Sequence, residues 1–362
     1  MKNNKYSDYK IFNFSDKIES FKSKFIAPPI YIRIKPINVC NHGCFFCIYS
    51  TGFRCKDKSN HIISGMHSSM QESDVIPYIK MMEILKDIKK MGVKAVTYSG
   101  GGEPLLHKNI CDIMSKTLEY NIDLSIITNG QRLSQERALI LANAKWVRIS
   151  IDYTNSAQMK EFRNVDESCF DEIIANINHF SKIKNNNCDL SVNYIVHKEN
   201  YKNLYEFVYK LKDNGVDNVR ISPMWIPDYY KYHKLIFNEA QNEMDKIHSL
   251  IDNKFSVNTT YSIAENTSHS IDRTYDKCYI METVPVIGAD LGVYTCHNKA
   301  YDHAGLIGSL KSSLFSELWG GENMINFING FNPKISCNHE CSNDRKNIII
   351  NSFINTSSDN FI

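Results

Sequence analysis

YIRIKPINVCNHGCFFC, residues 31–47, joins a predicted strand to three closely spaced cysteines. The run 31–36 is short and rich in β-branched residues, which is typical of a strand. Cys40, Cys44 and Cys47 follow it, with three and then two residues between successive cysteines. In folds built from parallel βα units, the loops after the strands carry the chemistry. This stretch therefore predicts a functional cysteine loop at that end of a barrel.

Five further β-branched runs alternate with amphipathic segments of helical period, the pattern of parallel βα units. The six predicted strands are 31–36, 93–98, 123–128, 146–151, 189–196 and 218–223. Right-handed crossovers would curl six such strands into a full or partial barrel. We therefore expect an α/β fold, a partial (β/α)6 TIM-like barrel with a small C-terminal cysteine-rich α+β extension.

The same patterns divide the chain into five predicted segments. These are a polar N-terminal lead-in (1–25), the barrel (26–230), a helical connector (231–275), a cysteine-rich domain (276–345) and a C-terminal tail (346–362).

Composition places the chain among ordinary globular proteins. Of its 362 residues, 43% are hydrophobic and 23% are charged, and the formal net charge is +2. A large core can form, but no strong field attracts the chain to nucleic acid or to an anionic membrane. The N-terminus lacks the apolar core of a signal peptide, and no run of about 18 apolar residues occurs. We expect a cytoplasmic protein that binds neither membranes nor nucleic acid.

Eleven cysteines in a chain without a secretory signal predict metal or redox chemistry rather than disulfides. Three thiolates, those of Cys40, Cys44 and Cys47, can hold three irons of a [4Fe–4S] cluster and leave the fourth iron open to a ligand. Zinc is the alternative, because short cysteine spacings also occur in zinc sites and His42 could supply a fourth ligand.

C-x3-C-x2-C after the first strand, with an aromatic residue before the last cysteine, resembles the signature of the radical SAM family. In that family, the open iron chelates S-adenosylmethionine (SAM), and reductive cleavage gives a 5′-deoxyadenosyl radical that abstracts hydrogen from a substrate. The resemblance implies that Cys40, Cys44 and Cys47 hold the cluster and that Phe46 lies near the adenine. It also implies a reducing partner such as flavodoxin or ferredoxin.

Loops after the next strands are similar to other segments of that family. SGGGEP (99–104) looks like the GGEP motif, and a glycine run allows the backbone to approach a ligand closely. Cofactor contacts are implied for six residues: Gly101, Gly102, Glu103, Asn129, Ser150 and Arg163. The forked guanidinium of Arg163 suits the SAM carboxylate, and a solvated arginine at the helix start is the alternative. Asn193 and Ser222 are further candidates for ribose or substrate contacts.

A second group of cysteines lies in the predicted C-terminal domain: Cys278, Cys296, Cys337 and Cys341. Four thiolates can close an iron–sulfur cluster. The arrangement resembles the twitch, a shortened SPASM extension of some radical SAM enzymes, and it implies a second, auxiliary [4Fe–4S] cluster. The final pair is separated by three residues where two are more usual. A zinc site that includes His297 or His339 is the alternative.

A cluster with four protein ligands would transfer an electron, which favours net oxidation. The expected function is that of a radical SAM oxidoreductase acting on a small polar molecule such as a sugar, cyclitol or nucleotide sugar. The alternatives are a peptide-modifying SPASM-type maturase, a radical epimerase with Cys55 or Cys188 as hydrogen donor, and a non-catalytic iron–sulfur or zinc scaffold. The GGEP-like loop argues against the scaffold, which has no need of it.

Overall fold

Ten strands form one mixed sheet in the computed structural model, which describes residues 7–23, 25–49, 69–224, 229–261, 273–337 and 341–356. The strands are β1 Tyr31–Ile34, β2 Ala95–Tyr98, β3 Asp123–Thr128, β4 Trp146–Ile151, β5 Asp189–Val196, β6 Asn218–Pro223, β7 Ser256–Thr259, β8 Val286–Ile287, β9 Gly292–Tyr294 and β10 Leu306–Ser309. Their spatial order is β10-β9-β8-β1-β2-β3-β4-β5-β6-β7. All neighbours from β1 to β7 pair in parallel.

Helices connect and cover these strands. They are α1 Ser15–Lys22, α2 Tyr78–Lys90, α3 Ile110–Glu119, α4 Gln135–Leu141, α5 Ser156–Arg163, α6 Ser168–Ile183, α7 Leu204–Asp213, α8 Tyr229–Lys234, α9 Phe237–Ile247, α10 Phe315–Leu318, α11 Glu322–Gly330, α12 Pro333–Ser336 and α13 Asp344–Asn355. In the described parts of the chain, every helix is too short or too polar to span a bilayer.

Alternation along the strands gives the sheet two different faces. In β4, Val147, Ile149 and Ile151 are fully buried in the main hydrophobic core, whereas Arg148 and Ser150 between them are partly exposed. Because successive strand residues point to opposite faces, the apolar set packs against the helices and the polar set faces the barrel interior. The predicted partial barrel is confirmed.

Four strands lie beyond the six that the sequence pattern predicted, and two of them, β7 and β8, extend the parallel part of the sheet. β7, inside the predicted helical connector, pairs with β6, and β8 pairs in parallel with β1 at the opposite edge. β7 reads SVNT and is only partly buried, and β8 has two residues. Such short strands give no detectable periodicity, which is why the prediction of a helical connector missed β7 after α9.

Residues 7–23, predicted as a polar lead-in, are in fact packed against the C-terminal domain. Ile11, Ile18 and Phe21 are buried in a separate hydrophobic cluster. The ring of Phe21 meets that of Tyr279 edge to face at a centroid distance of 5.1 Å. The apolar positions are few and separated by charged residues, which explains why composition suggested an unpacked segment.

The predicted tail also belongs to the folded body. α13 crosses the predicted boundary at 345/346, and Asn347 and Ile350 are fully buried. Ile350 packs in the same cluster as Ile11 and Ile18. Residues 357–362 lie outside the described residues.

Candidate active site at the carboxyl ends of the strands

The first cysteine loop, residues 40–47, is held by the end of α5. The Gly43 N–H donates to the Arg163 carbonyl (2.6 Å), and the Phe45 N–H donates to the Phe162 carbonyl (3.1 Å). Within the loop, the Cys47 N–H donates to the Cys44 carbonyl at 3.2 Å. The loop is therefore fixed by backbone bonds to the segment that follows β4.

Thiols of this loop share one electrostatic environment. Burial raises the pKa of Cys44 well above its usual value, and Arg163 opposes that shift. Negative charge on Asp152, Cys47 and Cys40 raises the same pKa further, so the three thiols lie close enough to repel one another when ionised. Metal binding relieves such repulsion, because it requires the thiolates and releases their protons.

His42, the possible zinc ligand, has another partner. Its Nε2 lies 3.0 Å from Gln131 Oε1. Burial, followed by the charge of Arg163, lowers the pKa of His42 to about 3. Among the described residues, no three His, Cys, Asp or Glu side chains converge as a single metal ion requires. Cysteines of a four-iron cluster stand farther apart because each binds a different iron atom, so this donor set fits a cluster better than zinc.

Asn129, predicted to contact the cofactor, connects two loops through its side chain. Its Nδ2 donates to Asn41 Oδ1 (2.9 Å), and its Oδ1 accepts from the Gln131 N–H (3.0 Å). Asn41 Nδ2 in turn donates to Gln131 Oε1 at 2.7 Å. Asn41 and Gln131 belong to no motif, so this network between the cysteine loop and the loop after β3 could not be predicted from sequence.

The glycines of the GGGEP loop allow another segment of the same chain, residues 37–39, to approach its backbone closely. A Cβ on Gly101 would stand 2.0 Å from Asn38 Oδ1, and one on Gly102 would stand 2.0 Å from the Val39 carbonyl oxygen. The Gly102 N–H donates to the Ile37 carbonyl at 3.0 Å. These glycines therefore press the loop against the segment that leads into the cysteines.

Glu103 is 2% exposed and joins two loops. Its Oε1 accepts from the Leu105 N–H (3.0 Å) and from Thr128 Oγ1 (2.7 Å), while Oε2 accepts from the Asn129 N–H (2.7 Å). Burial raises the pKa of Glu103, and these hydrogen bonds oppose the shift. The carboxylate thus connects the loops after β2 and β3, and its contact with the cofactor stays a prediction.

Arg163 is 2% exposed, so the alternative of a solvated surface arginine is wrong. Its Nε donates to the Asp152 carboxylate, and its Nη2 donates to the Ser150 carbonyl at 2.9 Å. The guanidinium lies 5.9 Å from the ring centroid of Phe46 and 5.4 Å from that of Tyr153. Four residues from the cysteine loop, β4 and the segment after it therefore surround this one cation.

A comparison with protein families agrees with this geometry. Residues 34–211 match the family model described as the radical SAM superfamily. The chain belongs to the radical SAM superfamily. The matched segment contains the cysteine loop, the GGGEP loop and Arg163, and the cofactors of the superfamily are SAM and a [4Fe–4S] cluster.

Curated relatives of this radical SAM enzyme include two named for nucleotides. The chain is 28% identical over 236 residues to a "Probable GTP 3',8-cyclase" of Methanocaldococcus jannaschii. This alignment covers 62% of this chain and 71% of that protein. It is 24% identical over 236 residues to an "S-adenosylmethionine-dependent nucleotide dehydratase" of Flammeovirga pacifica. This second alignment covers 59% of this chain and 76% of that protein.

A solved structure extends the likeness into the C-terminal domain. SuiB of Streptococcus suis bound to the precursor peptide SuiA matches with a TM-score of 0.62 and 18% identity, over 91% of this chain and 74% of that chain. At this identity, the likeness concerns the fold. The prediction of a radical SAM enzyme is confirmed, and the likeness to the fold of SuiB includes the C-terminal part of this chain.

The second group of cysteines in this radical SAM enzyme also comes together. Burial raises the pKa values of Cys278 and Cys296 to about 12. The charges of Cys296 and Cys341 raise the first value further, and those of Cys341 and Cys337 raise the second. Four thiols from three separate segments therefore share one environment. Cys55 and His339 lie outside the described residues.

Tyr49 connects the two cysteine groups of this radical SAM enzyme. It is buried two residues after Cys47, and its hydroxyl lies 3.3 Å from the ring nitrogens of His297, the neighbour of Cys296. Lys35 lies 4.0 Å from the Tyr49 ring centroid and donates to the Gly100 carbonyl at 2.5 Å. Burial lowers the pKa of Lys35 well below its usual value. Sequence reasoning missed both Tyr49 and Lys35, because each looked like an ordinary strand or loop residue.

Basic and polar side chains occupy the interior face of the barrel. Arg33, Arg148 and Arg220 each stand between fully buried apolar neighbours that face the helices, so the arginines point to the opposite side. The substrate-contact candidates Asn193 and Ser222 share this face, and Ser222 Oγ lies 3.4 Å from Asn193 Oδ1. The interior is therefore suited to a polar, negatively charged ligand.

Proposed function

We propose that this radical SAM enzyme binds its SAM-associated [4Fe–4S] cluster through Cys40, Cys44 and Cys47 and oxidises a small anionic molecule such as a nucleotide or nucleotide sugar. The observation that carries the proposal is the set of three mutually repelling thiols on a loop held by α5 beside the buried Arg163. When bound, the cluster supplies the electron that splits SAM into methionine and a 5′-deoxyadenosyl radical, which takes hydrogen from the substrate.

Residues around the loop prepare it for these cofactors. Arg163 lowers the pKa of Cys44 against the effect of burial and so favours the thiolate that iron requires. Eight buried side-chain atoms of the described residues have no hydrogen-bond partner, and three of them follow β2 or β4: Ser99 Oγ, Asp152 Oδ2 and Tyr153 OH. Such atoms are costly unless a ligand or water satisfies them, and a polar cofactor between the segments after β2 and β4 would do so.

Support for an anionic substrate comes from two sources. The barrel interior carries the guanidinium groups of Arg33, Arg148 and Arg220, which match phosphate oxygens in shape and charge. The names of the two curated relatives refer to GTP and to nucleotides. A nucleotide or nucleotide sugar fits both observations.

We further propose a second [4Fe–4S] cluster on the C-terminal cysteines: Cys278, Cys296, Cys337 and Cys341. Four thiols in one environment are sufficient to ligate all four irons. When bound, that cluster supplies a one-electron acceptor, and this chemistry favours net oxidation of the substrate. The reductant for the first cluster would be a small electron-transfer protein such as flavodoxin or ferredoxin.

Anaerobic reconstitution with iron and sulfide counts tests both ligand sets. About eight irons per chain are expected, because each cluster holds four. SAM and dithionite should then yield 5′-deoxyadenosine. Cys44→Ala should abolish that product, whereas Cys111→Ala, a partly buried cysteine of α3, should leave it unchanged. Cleavage of SAM by Cys44→Ala would contradict the first ligand set, and about four irons in the parent chain would remove the second cluster.

Peptide modification is the second candidate, because the fold resembles that of the peptide-bound SuiB. A substrate panel separates the candidates. Nucleotides and nucleotide sugars should stimulate 5′-deoxyadenosine formation and give a product two hydrogens lighter. Stimulation by peptides alone would overturn the proposed substrate class and favour the second candidate.

A further inference from the structure

Two side chains of α13 reach into the second cysteine group. Asp344 and Asn347 are 3% and 0% exposed, and their spacing places them on one face of the helix. The sequence patterns assign no role to either residue. Together, their contacts reach the segments that carry Cys278, Cys337 and Cys341.

Asp344 contacts two of these segments and the irregular stretch before Cys278. Its Oδ2 accepts from the Cys341 N–H (3.1 Å), and its Oδ1 accepts from Arg273 Nε (2.9 Å) and from the Tyr275 hydroxyl. Arg273 Nη1 donates to the Cys337 carbonyl at 2.7 Å. One buried ion pair therefore fixes the backbone at Cys337 and Cys341 relative to each other.

Asn347 fixes the remaining segment and faces a thiol. Its Oδ1 accepts from the Tyr279 N–H (2.8 Å) and the Ile280 N–H (3.3 Å). Its Nδ2 lies 3.5 Å from Cys278 Sγ. Because two backbone donors select the amide oxygen, the amide cannot flip, and the NH₂ group must face the sulfur.

We propose that Asn347 is a positioning residue of the second cluster, holding Cys278 in place and donating an N–H to its sulfur. The inference rests on the proposed function, since it requires the auxiliary cluster. Hydrogen bonds to cluster sulfurs and nearby positive charge raise the reduction potential, because they stabilise the more negative reduced state.

A full-length chain carrying Cys40→Ala, Cys44→Ala and Cys47→Ala isolates the second cluster spectroscopically. In this background, Asn347→Asp keeps an oxygen for the Tyr279 and Ile280 N–H groups but replaces the donor to Cys278 with a second oxygen. Asn351→Asp is the matched control, because it adds the same charge one turn farther along α13. Redox titration followed by electron paramagnetic resonance measures the midpoint potential.

Asn347→Asp should shift the midpoint potential to a lower value, and Asn351→Asp should shift it far less. Equal shifts in the two variants would overturn the inference and leave the cluster itself intact. If Asn347→Asp prevents assembly, Asn347→Ser takes its place, because the shorter side chain adds no charge and cannot reach the sulfur. An unchanged potential in Asn347→Ser would equally overturn the inference. A parent triple variant without iron would overturn the auxiliary cluster and, with it, this inference.

Discussion

At the scale of single residues, Arg163 supports the first cysteine loop in two ways. Its carbonyl accepts from the Gly43 N–H, and its side chain neutralises the buried Asp152. Burying one charge without the other is far more costly than burying the pair. The stability of the loop and its electrostatic environment therefore depend on the same residue.

Arg163→Leu should lower the free energy of unfolding of the iron-free chain by about 3 kcal/mol, because it leaves the Asp152 carboxylate buried and unpaired. Urea unfolding followed by circular dichroism measures this change. Adding Asp152→Asn should restore part of the loss, since the orphaned charge is then removed. A double variant no more stable than Arg163→Leu would show that the ion pair is not the cause.

Arg220 offers a second test at this scale. Arg220→Gln should weaken the binding of a phosphate-bearing nucleotide about tenfold, as expected when one charge-assisted contact of roughly 1.4 kcal/mol is lost. Isothermal titration calorimetry with the nucleotide and with its phosphate-free nucleoside measures the effect. Only the nucleotide should respond, and Lys90→Gln on α2 is the surface control. Equal weakening of both ligands would contradict a phosphate contact in the barrel interior.

Among the elements, the GGGEP loop has no room for side chains at its glycines, since a Cβ on any of the three would stand 2.0 Å from a neighbouring atom. Gly102→Ala places a Cβ 2.0 Å from the Val39 carbonyl oxygen, so the backbone leading to Cys40 must move. We expect this variant to bind about four fewer irons and to lose SAM cleavage. Gly330→Ala is the control, because nothing lies within 4 Å of its added Cβ. Normal iron content in Gly102→Ala would show that the loop does not need this close contact.

α1 is the second element with a sharp test. Phe21→Ala should lower the free energy of unfolding by about 3 kcal/mol, because the ring is 5% exposed and packs on Tyr279. Phe25→Ala, in which a ring that is 68% exposed is lost, should change it little. Thermal unfolding of both variants measures the difference. Equal melting temperatures would contradict the described packing of the N-terminal helix.

For the whole molecule, the sequence predicts the barrel better than its surroundings. The strands 123–128, 146–151, 189–196 and 218–223 have the predicted bounds, since long β-branched runs flanked by amphipathic helices leave little ambiguity. The packing of α1 with α13 was missed, because contacts between distant segments leave no local period in the sequence. Likewise, the spacing of the cysteines is visible in the sequence, whereas Asp344 and Asn347 meet Cys341 and Cys278 only in the folded structure.

Packing of α1 against α13 has a consequence for how the enzyme is made. More than 300 residues separate the two helices along the chain. During synthesis, domains fold from the N-terminal side. The strands β1 to β6 and the first cysteine loop can therefore form before Ile350, which packs with Ile18 and Phe21, has been synthesised. The proposed first iron site can then form before the proposed second one. Iron–sulfur delivery to this protein should therefore proceed in a fixed order, with the barrel supplied first.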